Sequence, residues 1–197
     1  DRATVSERDL AHLLALYDAE IRYTDTELGR VFDHLTARGL DKGTLVFVTS
    51  DHGEEFLEHG SWEHQKTLYE EVVRIPMMFA GPGIVGRRET RQTTLLDVAP
   101  TILAWTGVAP RGPLQGESLV ARVGEREAYG ETDHTADGTR KLFLRGGQGR
   151  WKAILSLSET GGELRRGEWF NLSTDPGEGH STRPNEAAAQ AIERRAL

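Results

Sequence analysis

Apolar positions along this chain recur at more than one period, and each period predicts a different element. Leu10, Leu13, Leu14, Tyr17, Ile21, Leu28, Val31, Phe32 and Leu35 fall at helical spacing and define one face of a long amphipathic helix. Ser6, with Asp9 three residues on, reads as its capping box, and Gly39 as its C-terminal stop. A Gly-Leu-Asp-Lys-Gly turn then leads to Thr44-Leu45-Val46-Phe47-Val48. That continuous apolar run, rich in β-branched residues, predicts a strand buried on both faces, as in a parallel sheet. Ile75 to Ala80 is a second such run, closed by Gly81-Pro82-Gly83. Between the two, Thr67 and Glu70 form a candidate capping box for a short helix over Leu68 to Val73. Asp97 is a candidate N-cap for another helix, with Pro100 tolerated in its first turn and Gly107 at its end.

The pattern changes after Pro110. Residues 110 to 125 are rich in Gly, Pro and Arg and read as a connecting stretch. Beyond them come short apolar runs, Ala128-Tyr129-Gly130, Leu142-Phe143-Leu144, Trp151 to Leu157 and Trp169-Phe170-Asn171-Leu172. Gly146-Gly147 and Gly161-Gly162 lie between them, which predicts hairpins and a small antiparallel sheet. The alanine-rich Glu186 to Arg195 predicts a terminal helix. The expected division is therefore an α/β portion over residues 1–125 and a small antiparallel-sheet subdomain with a terminal helix over residues 126–197.

Composition narrows the classes. A hydrophobic share of 37% and a charged share of 28% over 197 residues suit a globular protein with a sizeable core. The net charge of −7 speaks against nucleic acid as a general partner. No stretch approaches the ~20 apolar residues of a membrane span. Asp1-Arg2-Ala3-Thr4 does not resemble a signal peptide, so a soluble chain of unassigned compartment is expected. Without cysteine there is no disulfide, thiolate ligand or cysteine nucleophile.

Candidate chemistry concentrates directly after the first predicted strand, in Thr49-Ser50-Asp51-His52-Gly53-Glu54. Open α/β sheets bind ligands just beyond the carboxyl ends of their strands. An oxygen and a nitrogen ligand side by side, Asp51 and His52, make a metal-site candidate there; the plain alternative is a turn that caps the next segment. His59, His64 and Lys66 follow closely. Glu54 and Glu55 read as solvated loop acids, Glu70, Glu71 and Arg74 as an ion-pair set orienting a helix, and His134 and Lys152 as surface residues.

Five segments in order carry a resemblance: Tyr17-Asp18-Ala19-Glu20-Ile21, Thr49 to Glu54, Tyr69-Glu70-Glu71 with Arg74-Ile75-Pro76, Leu96 to Ile102, and Phe170 to Glu178. Together they resemble the C-terminal half of the sulfatases, a branch of the alkaline phosphatase superfamily. The resemblance implies part of a mixed, mostly parallel sheet flanked by helices, plus the small antiparallel sheet with its terminal helix. It implies that Asp51 and His52 are metal ligands, with Lys66 stabilising charge on the sulfate or bridging oxygen. His64 either donates a proton to the leaving group or lines the pocket. A carboxylate suits calcium, whereas the imidazole also suits manganese or zinc. The family's nucleophile motif, Cys/Ser-x-Pro-x-Arg, whose first residue becomes formylglycine, has no match here and belongs to the N-terminal half. The expectation is thus a sulfate ester hydrolase in part, with the missing half or a second copy covering an exposed apolar face. A phosphonate or phosphodiester hydrolase of the same superfamily, or a truncated non-catalytic fragment, are the alternatives.

Overall fold

A computed structural model describes residues 5–120, 124, 126–135, 138–146, 150–158 and 162–196. The expected hairpin glycines Gly147 and Gly161, and the boundary residue Glu125, lie outside the described residues. The chain mixes helix and sheet and forms two compact units, Asp1–His64 with Glu71–Arg88, and Gln65–Glu70 with Glu89–Leu197. These units and the composition boundary at residue 125 divide the chain differently, because Gln65–Glu70 and the residues from Glu89 onward group with the later sequence.

In the first unit, α1 (Glu7–Ala37) starts at the expected capping box. Ser6 accepts from the Asp9 amide at 3.2 Å while Asp9 accepts from Ser6 in return. The chain leaves the helix at Gly39, whose φ of 67° is the left-handed region that glycine adopts without strain. No residue of α1 is buried. Strands β1 (Val46–Thr49) and β4 (Met77–Ala80) are the two expected apolar runs.

Their pairing corrects the sequence expectation. β1 and β4 run antiparallel as a two-stranded sheet, in the register Val46↔Ala80 to Thr49↔Met77. The helix between them, α2 (Glu70–Val73), is a single turn, too short to carry the chain back along the sheet. β4 therefore begins where β1 stops, and the Thr49 hydroxyl donates to the Pro76 carbonyl at 2.9 Å. Nor are these strands buried on both faces: β4 alternates half-buried and exposed residues, with Met78 58% exposed. An apolar run reports a demand for cover, not strand direction. The loop between β1 and α2 contains a short hairpin of β2 (Glu55–Phe56) and β3 (Trp62–Glu63).

The second unit holds the core. α3 (Val98–Thr106) ends at Gly107 in the left-handed region, as expected. β5 (Ala128–Thr132), β6 (Thr139–Gly146), β7 (Trp151–Ser158) and β8 (Leu164–Asn171) form an antiparallel sheet in sequence order, where four strands were expected. α4 (Glu186–Ala196) packs Ala189 and Ile192 against Leu142, Ala153, Leu155, Leu157 and Trp169 of that sheet.

Candidate active site

The Asp51–His52 pair sits in the turn immediately after β1. Ser50 shapes it by donating to the His52 carbonyl at 2.6 Å. Gly53 is required by close approach: its amide donates to the Val72 carbonyl at 2.7 Å, and a Cβ there would lie 2.0 Å from the Glu71 carbonyl oxygen. The turn and the end of α2 are thereby held backbone to backbone. Beyond it, Leu57 and Glu63 adopt φ of 71° and 67°, left-handed values uncommon for such residues, so the loop keeps a conformation its neighbours impose.

A buried carboxylate bridges this loop. Glu55 is fully buried and accepts from the His59 amide at 3.2 Å and the Ser61 amide at 2.7 Å. His59 Nδ1 meets Glu71 at 2.6 Å, which gives that histidine a structural role. Glu54 contacts His64 Nδ1 at 3.3 Å. The expectation of solvated glutamates at 54 and 55 is therefore corrected. Glu55 is buried and Glu54 half-buried, and each meets an amide or imidazole partner. Glu71 pairs with His59, and Glu70 pairs with Lys152 and Arg145, so the expected set with Arg74 is replaced by longer-range partners.

Three of the four sequence candidates come together. The His52 and His64 rings stack with centroids 3.8 Å apart, and His52 Nε2 lies 3.7 Å from an Asp51 carboxylate oxygen. His52 Nδ1 is 2.8 Å from the Gly53 carbonyl. A carbonyl only accepts, so Nδ1 carries a proton, and in the neutral ring Nε2 then presents a lone pair. That tautomer, with the other ring nitrogen donating to a backbone carbonyl, is the arrangement of a metal-ligating histidine. The Asp51 carboxyl is exposed, and backbone amide hydrogen bonds with the nearby His52 hold its pKa below the usual carboxylate range. An ionised oxygen and an imidazole lone pair fit a divalent cation. Among the described residues no group of three His, Asp or Glu converges on one point.

Lys66 belongs to the second unit, and its carbonyl accepts from Lys141 Nζ at 3.3 Å. Four residues on, Glu70 enters a buried charge cluster. Lys152 Nζ, fully inaccessible, lies 3.2 Å from Glu70 and 2.9 Å from the equally buried Glu178. Lys152 is thus a core residue, correcting the surface expectation. Burial raises the Glu178 pKa, against the opposing pull of Lys152. The Glu70 amide donates to Glu178 at 2.5 Å, so the cap of α2 comes from 108 residues away and the helix starts at Glu70, not Leu68.

The sulfatase family model matches residues 2–108, more than half of the chain. This chain belongs to the sulfatase family. It is 30% identical over 177 residues to a choline-sulfatase of Rhizobium meliloti, covering 87% of this chain and 33% of that protein. Mouse arylsulfatase K is 29% identical over 187 residues, covering 88% of this chain and 33% of the relative. A solved structure of a 2-O GAG sulfatase superposes with a TM-score of 0.81 at 21% identity, covering 96% of this chain and 42% of the other, which shows the fold. The sulfatase chain thus spans about a third of the length of the curated relatives it matches.

Several residues that organise this sulfatase chain carried weak sequence signals. Lys152 is a lone charge opening the buried run Ala153-Ile154-Leu155, an anomaly that marks a paired core lysine. Glu178 closes the last family-like segment. Asp97 is the N-cap residue of α3, as expected, but its side chain makes no cap bond there: fully buried, it accepts from the Thr94 and Glu117 amides and pairs with Arg126.

Proposed function

We propose that this chain supplies Asp51 and His52 as two ligands of a divalent cation site in a metal-dependent sulfate ester hydrolase, with Lys66 and His64 as its anion-stabilising and leaving-group residues. The observation that supports it most is the His52 tautomer, which leaves an unprotonated Nε2 lone pair 3.7 Å from the Asp51 carboxylate. Calcium is the first candidate, with manganese or zinc as alternatives. Such a cation supplies charge stabilisation for a sulfate oxygen. Asp51 contributes an ionised oxygen, and His52 is held in orientation by the Gly53 carbonyl. Glu54 orients His64 through Nδ1, leaving Nε2 as the nitrogen that handles a proton. Lys66 brings positive charge to the oxygen on which charge develops as the ester breaks. The formylglycine nucleophile belongs to the family's N-terminal half, so the 197-residue chain is expected to show no turnover of a chromogenic aryl sulfate above a Lys66→Ala control.

Calorimetric titration with calcium tests the ligand assignment. Two protein ligands fall short of a shell of about six to eight oxygens, so binding weaker than micromolar is expected, and it should vanish in Asp51→Ala. Submicromolar affinity, or binding indifferent to Asp51→Ala, would overturn the assignment.

A further inference from the structure

The second unit holds six residues that arrive from earlier in the sequence, Gln65–Glu70, as a strap laid on the later sheet. Every strand of that sheet contacts it. From β5, the Thr132 hydroxyl donates to the Gln65 carbonyl at 2.5 Å. From β6, Lys141 Nζ donates to the Lys66 carbonyl at 3.3 Å and Arg145 pairs with Glu70 at 3.2 Å. Lys152 of β7 pairs with Glu70 at 3.2 Å. From β8, Glu168 accepts from the Tyr69 hydroxyl at 3.1 Å, and the Phe170 ring packs edge-on against Tyr69 at 6.0 Å. Thr67, Leu68 and Glu70 are buried as a result.

The centre of this arrangement is ionic where an apolar core would be expected. Lys152 stands in a strand whose next five residues are buried, 5.5 Å above the Phe143 ring, and is sandwiched between Glu70 and Glu178. Replacing a buried ion pair by well-packed apolar residues often costs no stability, so one attested use of such a pair is to fix a single arrangement. Backbone strain points the same way. Of the four non-glycine residues with left-handed φ among the described residues, Gln65 at 78° starts the strap and Glu178 at 53° is its distant cap.

We propose that the Lys152–Glu178 pair is a positioning element for Lys66: it pins the strap through the side chain and amide of Glu70 and so gives Lys66 a single backbone placement. This rests on the reading of Lys66 as the anion-stabilising residue. Neither Lys152 nor Glu178 is exposed, so neither acts on substrate directly.

The test uses the full 197-residue chain and a variant with both charges removed, Lys152→Met with Glu178→Gln, which leaves no orphaned charge and keeps Glu70 with Arg145. Amide hydrogen exchange is read residue by residue. In the double variant the amides of residues 66–70 should exchange at least ~10-fold faster, while those of β7 stay within ~3-fold of the parent. Lys152→Arg, which keeps the charge, should restore slow exchange in the strap. Strap amides that stay slow, or that accelerate only in step with β7, would overturn the proposal. A separate arm follows the backbone amide NMR signals of residues 64–68 during titration with inorganic sulfate. A sulfate response lost in Lys66→Ala and weakened ~3-fold or more in the double variant supports positioning. A response lost in Lys66→Ala but intact in the double variant overturns the positioning proposal alone. A parent response absent, or unchanged in Lys66→Ala, overturns the reading of Lys66 itself and with it what the strap is proposed to position.

Discussion

The two helices α1 and α4 carry the same kind of amphipathic pattern and meet opposite fates. α4 places Ala189, fully buried, against the four-stranded sheet. α1 buries nothing: Leu16, Ile21 and Val31 are each about half exposed, at 51%, 53% and 53%. The same contrast runs through the two units. In the second, Leu155, Ala153 and Phe170 are at most 1% exposed, whereas in the first the buried apolar residues are Leu57 and Val72. The unit with the metal-ligand candidates is the one whose apolar surface lacks cover within the described residues. Hydrophobic periodicity thus tells which face requires cover but not what provides it.

The largest effect that tests this contrast is a pair of truncations. Leu155→Ala should destabilise the second unit by ~2–5 kcal/mol, since both transfer energy and a cavity are involved. Ile21→Ala, on the exposed helix face, should stay within ~0.5 kcal/mol. Urea unfolding followed through β7 and α1 amide signals measures both, and equal costs would mean that α1 is covered after all. A companion experiment is sedimentation of the chain, in which the uncovered α1 face should drive self-association that Ile21→Lys with Val31→Lys relieves. A clean monomer without dye-accessible apolar surface would break the comparison.

Gly53→Ala is expected to act next most strongly, and only on the first unit. Its methyl would meet the Glu71 carbonyl at 2.0 Å, so the turn must separate from the end of α2, at a cost of ~1–3 kcal/mol. Shifted amide signals at Val72 and His59 with unchanged β7 signals would report it. The smallest effect is a pH slope in the second unit. The Glu178 pKa is raised by burial, so the folded chain holds its proton across a window above the ordinary glutamate value of about 4.3. Stability from this group is full below that value and is lost as pH rises through the raised one. Against Glu178→Gln, the parent should therefore lose β7 stability as pH rises above the ordinary glutamate value, and parallel curves would contradict the assignment.

How far the sequence carried depended on the range of the interactions. Local patterns were legible: the Ser6–Asp9 capping box, the Gly39 and Gly107 stops, and the four later strands. The fold family and the juxtaposition of Asp51 and His52 were legible as motifs. Strand direction was not, because the Val46 and Met77 runs report apolar demand alone. Long-range carboxylate partners were equally hidden. Nothing local in Thr67-Leu68-Tyr69-Glu70 announces that Glu178 caps the helix, or that Lys152 is buried beside it.

The central claim is that His52 presents Nε2, beside Asp51, to a divalent cation. Nitrogen-15 NMR of the His52 ring tests it most directly. The account predicts a proton on Nδ1, a bare Nε2, and a shift of the Nε2 signal on adding cation that disappears in Asp51→Ala. A proton resident on Nε2, or an Nε2 signal indifferent to calcium, manganese and zinc alike, would contradict it.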